Sequence, residues 1–120
     1  MGYTWRRAAE EIIVELEQLR LRVPESLAEG AMEEALNDAW NVFSRINYSY
    51  GPVRRPYYGL GEEARLLSQL ARALRLRMIH VKSMYITGVD YFNSRLDYFL
   101  EKARAALGYN PKLPLTMYRG

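Results

Sequence analysis

The apolar positions of this 120-residue chain fall into four runs at helical spacing, separated by breaks that proline or glycine marks. In the first run Ala8, Ala9, Ile12, Ile13, Leu16 and Leu19 recur three and four residues apart, predicting an amphipathic helix from a Thr4 cap to about Arg22. Its outer positions hold Glu10, Glu11, Glu15 and Glu17, with Arg20 and Arg22 at the end, the order that the helix macrodipole favours. Pro24 stops this helix, and Ser26-Leu27-Ala28-Glu29 reads as a capping box for a second one reaching about Asn47. Leu27, Ala31, Met32, Ala35, Leu36, Ala39, Trp40, Phe43 and Ile46 form its expected core face.

A third helix starts at Glu62-Glu63 and reaches about Thr87, with Leu66, Leu67, Leu70, Leu74, Val81 and Tyr85 on one side. Gly88 breaks that pattern. A fourth helix then runs from about Asp90 to Leu107, turning Phe92, Leu96, Phe99, Leu100 and Ala103 inward, with Gly108 as its C′ residue and Pro111 beyond. The tail from Tyr109 onward has two prolines and no periodicity, so it reads as an extended segment lying along another subunit. The expected fold is one all-α domain over residues 1–120: a four-helix bundle with an N-terminal helix over 1–23, an elaborate loop between helices 2 and 3, and an extended tail over 109–120.

That loop is Gly51-Pro52-Val53-Arg54-Arg55-Pro56-Tyr57-Tyr58-Gly59-Leu60-Gly61. Pro52 and Pro56 fix φ and lack a backbone donor, while Gly51, Gly59 and Gly61 permit turns and close approaches. Two guanidiniums and two phenols between these pivots suit phosphate oxygens, sugars or a partner's surface. Alone, the stretch reads first as a helix connection whose arginines are solvated.

Charge changes that balance. The net +3 is unevenly placed: residues 1–40 carry −5, residues 41–82 carry +6 and residues 83–120 carry +2. A cationic middle third points to a polyanion, or to the acidic first third of a neighbouring copy. Only Lys82, Lys102 and Lys112 of the 17 basic residues are lysine, and arginine favours bidentate phosphate contacts. A thermophilic source accounts for the same charge with little cysteine or glutamine. On the third helix Arg65, Arg72, Arg75 and Lys82 make a stripe opposite the apolar side, and Arg6, Arg7 and Arg45 are subsidiary candidates.

Enzymatic signatures are sparse. The chain has no cysteine, which excludes thiolate metal sites and cysteine nucleophiles, and its single histidine, His80, excludes a histidine-rich metal site. There is no Walker A loop, dinucleotide fingerprint or nucleophile elbow, so no cofactor, metal or catalytic residue is expected. The adjacent acids Glu10/Glu11, Glu33/Glu34 and Glu62/Glu63 point about 100° apart on a helix and form no dyads. With no signal-peptide core and no long apolar run, the expectation is a protein made and used inside a cell. The alternative enzymatic reading is Arg75-x4-His80, whose spacing resembles the helical HEPN ribonucleases. Leu76 and Lys82 depart from the residues common around that motif.

From residue 51 onward the chain resembles the major coat proteins of rod-shaped and filamentous archaeal DNA viruses, the rudivirus and lipothrixvirus kind. Gly51-Pro52-x-Arg54-x-x-Tyr57-x-Gly59-x-Gly61 follows that family's glycine-spaced loop, and Lys82-x-x-Tyr85-Ile86-Thr87 and Leu96-Asp97 resemble later segments. The first 50 residues match only in being helical, and their acidity leans toward a lipothrixvirus-like or tristromavirus-like member. The resemblance implies a non-enzymatic capsid protein that forms homodimers, or heterodimers with a paralogous coat protein, and coils around double-stranded A-form DNA in a helical virion. An envelope around the filament is compatible with it, and host cytoplasm is the place of assembly. Backbone contacts from Arg54, Arg55, Arg65, Arg72, Arg75 and Lys82, with Tyr57 on the loop or a sugar, then give binding without sequence preference.

Overall fold

A computed structural model describes residues 5–49, 59–76 and 82–118. Its regular elements are all helical: α1 (Trp5–Arg20), α2 (Val23–Glu29), α3 (Ala31–Ser49), α4 (Leu60–Arg75), α5 (Lys82–Ala106) and a 3-10 turn over Leu115–Tyr118. The all-α expectation holds, but five helices stand where four were expected. The long helices touch in a cycle: α1 meets α3, α3 meets α4, α4 meets α5, and α5 returns to α1. The short α2 contacts all four.

The extra helix arises at Pro24 and Gly30. Pro24 lies in the first turn of α2, where its fixed φ suits helix entry and no donor is lost. Arg22 is the N-cap residue, and the Ser26 amide already donates to the Arg22 carbonyl at 2.8 Å. Ser26 is therefore a buried residue within α2 and caps nothing, against the capping-box reading. Gly30 then adopts φ +82°, closing α2, and its carbonyl accepts the Glu34 amide at 3.2 Å to open α3.

The second boundary also moves. Gly88 lies inside α5, and α4 ends at Arg75, well before the expected Thr87. A glycine in a helix interior costs only about 1 kcal/mol relative to alanine. The core side chains Phe92, Leu96, Phe99 and Leu100 anchor α5 well beyond that. No glycine or proline marks 77–81. The end of α5 matches expectation: the Gly108 amide donates to Ala105 at 3.0 Å and the Tyr109 amide to Arg104 at 2.9 Å, a Schellman stop.

The core gathers Ile13, Leu16, Leu27, Met32, Leu36, Phe43, Leu74, Phe92, Leu96, Phe99 and Leu100, with Phe43 and Phe99 edge to face at 5.9 Å. Two expected core residues are exposed. Trp40 is 38% exposed and Leu66 51%. On α4 the inward positions are Leu60, Ala64, Leu67, Ala71 and Leu74, whose small residues admit close packing on α3.

That packing is tightest at Gly61. A Cβ there would lie 2.5 Å from the Ser44 Oγ and 2.9 Å from the Ser44 backbone nitrogen on α3. At the other end of the pair, Arg75 spans from α4 to Glu33 at 2.8 Å and lies over Gly30. The two helices thus run antiparallel.

The tail closes on its own body, correcting the extended segment expected along another subunit. Glu17, expected on the outer face of α1, is buried beside Arg104 of α5. Its Oε2 accepts from Arg104 Nε at 2.8 Å and from the Leu115 amide at 2.8 Å, while Oε1 accepts from the Thr116 amide at 3.3 Å. Arg104 also donates to the Pro111 carbonyl at 3.0 Å, and Leu115 is buried. The Tyr109 hydroxyl donates to Glu10, and its ring packs at a tilt of 53° against that of Tyr118, with centres 5.2 Å apart. Burying backbone amides requires acceptors, and one carboxylate supplies two of them.

Gly61→Ala is expected to destabilise the fold by about 2 kcal/mol through forced separation of α3 and α4, read as a lower denaturant midpoint. Glu17→Ala leaves Arg104 buried without its counter-ion and is expected to cost about 3 kcal/mol. Limited proteolysis should then cut first within 109–118, sooner than in the unsubstituted chain.

Candidate nucleic-acid interface

The expected cationic stripe divides into three different situations on α4. Arg65 Nη1 meets Glu62 Oε1 at 3.3 Å across one turn, and both side chains are about half exposed, so the pair holds Arg65 weakly. Arg72, seven residues on and about 10 Å along the axis, is exposed and has no side-chain partner among the described residues. Arg75 is committed to Glu33. It fastens α4 to α3 through Nε, while its side chain stays 32% exposed. The HEPN-like reading would need this same guanidinium for catalysis, and His80 lies outside the described residues.

Arg54, Arg55 and Tyr57, with Gly51, Pro52 and Pro56, also lie outside the described residues. Lys82 opens α5, but its side chain is likewise outside them. Gly59, at φ +86°, precedes α4, and Gly61 serves the contact with Ser44.

The subsidiary candidates split. Arg6 donates to the Leu107 carbonyl at 2.5 Å and stands 5.8 Å from the Tyr109 ring centre, holding the end of α5 where free carbonyls attract a cation. Arg7 pairs with Glu11 one turn away at 3.4 Å, and Arg45 donates to the Asn41 carbonyl at 3.1 Å. Arg45 also lines a groove of about 380 Å³ between α1 and α3, together with Glu11, Glu15 and Asp38. Glu15 holds its proton above the ordinary glutamate range, first because it is partly buried and then because Asp38 and Glu34 repel its charge.

The division of charge is sharper than the linear count suggests. All fourteen acids belong to the described helices, where eight of them form ion pairs with cations: Glu11, Glu17, Glu25, Glu33, Glu62, Glu63, Asp97 and Glu101. The stretches 46–58, 77–86 and 119–120 contain Arg54, Arg55, Arg77, Lys82 and Arg119 and no acid. Two of these stretches flank α4, whose sixteen residues set their anchor points about 24 Å apart.

The outer face of α5, outside the expected candidates, carries Tyr91, Arg95, Tyr98 and Lys102 at spacings of four, three and four. Glu17, at an outer position of α1 by spacing, is buried. The helical spacing was a signal for the first; nothing local marks the second. Among the described residues no group of three or more His, Asp or Glu side chains could hold a metal, and no helix is long and apolar enough to cross a membrane. Compared with known protein families, curated proteins and solved structures, the chain matches none.

The raised Glu15 value carries a pH signature. The folded state holds the extra proton between the ordinary value of 4.5 and the raised one, so this group's contribution to stability declines as pH climbs through that window. Glu15→Gln is expected to raise the thermal midpoint at neutral pH and to leave it nearly unchanged near the ordinary glutamate value.

Proposed function

We propose that this chain is a structural, non-catalytic nucleoprotein subunit. It is read as a coat protein that dimerises and wraps double-stranded DNA without sequence preference, in the manner of the filamentous archaeal virus coat proteins its second half resembles. The observation that carries this reading is the segregation of charge: all fourteen acids lie in the helices, and the stretches that flank α4 carry cations and no acid. Unneutralised arginines lose least free energy against a polyanion, whose condensed counter-ions they release. Arg72 on the exposed side of α4 adds to that block, and Arg65 does so at the small cost of a weak surface pair.

A coat must accept any sequence, so phosphate and sugar contacts suit it better than base edges. A-form duplexes keep their major groove too deep and narrow for side chains to read, which fits a binder built from arginine and tyrosine. Weak contacts repeated along a filament then add up to an assembly far more stable than one subunit on DNA. The alternative of RNA cleavage depends on Arg75, whose Nε binds Glu33.

Binding to unrelated duplexes across a salt series tests the proposal. Affinity should fall steeply with salt and hardly vary with sequence, and Arg54→Ala/Arg55→Ala should reduce the log–log slope by about 2. A salt-independent or strongly sequence-selective result sinks it. Single-stranded RNA should remain intact in the same preparation; cleavage that His80→Ala abolishes would establish the ribonuclease reading instead.

A further inference from the structure

The outer face of α5 carries a row of side chains that neither the core nor the cationic block uses. Tyr91, Arg95, Tyr98 and Lys102 share one helical face over a rise of roughly 16 Å. Tyr91 is 59% exposed and Tyr98 45%. We propose that this row is a second phosphate-binding track, which takes the sugar–phosphate backbone of duplex DNA; the inference rests on the nucleoprotein reading above.

The cations of the row are held in place before any ligand arrives. Arg95 donates from Nε at 3.0 Å and from Nη2 at 2.6 Å to a single oxygen of Glu63 on α4. That grip fixes the guanidinium plane and leaves Nη1 without a described partner. The guanidinium carbon lies 5.0 Å from the Tyr98 ring centre, and Lys102 Nζ lies 5.4 Å from the same centre. Two cations are thereby tethered to one ring, at a spacing that cation–π attraction sustains.

This arrangement selects among nucleic-acid contacts. A ring engaged by cations is poorly placed to stack on an unpaired base, the usual use of tyrosine on single strands. Its hydroxyl, that of Tyr91, Arg95 Nη1 and the three Lys102 donors remain, and these suit phosphate oxygens. Duplex DNA carries one charge per about 1.7 Å of its axis, so a row of this length faces several phosphates.

The carboxylates nearby do not cancel the row. Glu63 is bound to Arg95, Asp97 to Arg20 at 2.8 Å and Glu101 to Lys112 at 2.5 Å. Asp90 has no described partner, but it precedes Tyr91 by one residue and points about 100° away on the helix.

The test uses the full chain and duplexes of arbitrary sequence, with fluorescence anisotropy read over a potassium chloride series. Lys102→Ala should lower the log–log salt slope by about 1, Lys102→Glu should lower it further, and Lys102→Arg should preserve it. Tyr91→Phe/Tyr98→Phe keeps both rings and should weaken binding several-fold with the slope unchanged. Circular dichroism establishes that each variant is folded, which exposed positions allow. An unchanged slope in both Lys102→Ala and Lys102→Glu, with steep wild-type salt dependence retained, overturns the track and leaves the nucleoprotein reading standing. Absence of wild-type duplex binding overturns both. If Lys102→Glu changes only the sedimentation of the free protein, the row is a protein–protein contact and the proposal also fails.

Discussion

The antiparallel pairing of α3 with α4 is the constraint on which the rest of the molecule depends. At one end the helices approach so closely that only glycine fits opposite Ser44, and at the other Arg75 reaches across to Glu33 above Gly30. A close approach at one end and a charge-assisted bond at the other fix both spacing and register. They also fix Gly59 and Leu76, the residues from which the two acid-free stretches depart. The two ends of α4 are therefore placed by a packing contact that involves no ligand.

Charge divides the chain into helices that hold every acid and connecting stretches whose sequence has none. Within the body, acids and cations pair across helices, as Arg20 does with Asp97 and Arg95 with Glu63. Exposed pairs of this kind contribute little to stability, but they keep carboxylates from opposing a polyanion elsewhere on the surface. The exception is the α1–α3 groove, where Glu15, Asp38 and Glu34 crowd one another and burial adds to the repulsion. That groove is thus an acidic side of the molecule.

Burial of Glu17 and Arg104 makes the tail part of the domain. A buried ion pair is worth its desolvation only when its remaining hydrogen-bonding capacity is used. Here the Leu115 and Thr116 amides and the Pro111 carbonyl use it. Contacts between subunits on the proposed reading must then come from other surfaces, including the exposed faces that bear Trp40 and Leu66.

Much of this was written in local sequence. Helical periodicity announced the long helices, Gly108 and Pro111 announced the end of α5, and the uneven run of charge announced the cationic middle, because each depends on neighbours a few residues apart. Tertiary contacts decided the remainder. Gly88 stayed helical because distant core residues hold α5, and Ser26 went into the core because Pro24 had already begun a helix. Arg75 left the stripe for Glu33, and Glu17 left the surface for Arg104, because partners 42 and 87 residues away in sequence came within hydrogen-bonding distance. Sequence by itself determined which residues could be helical and where charge was in excess. Only the folded structure decided which charges were consumed internally, since ion pairs form between residues that chain order keeps apart.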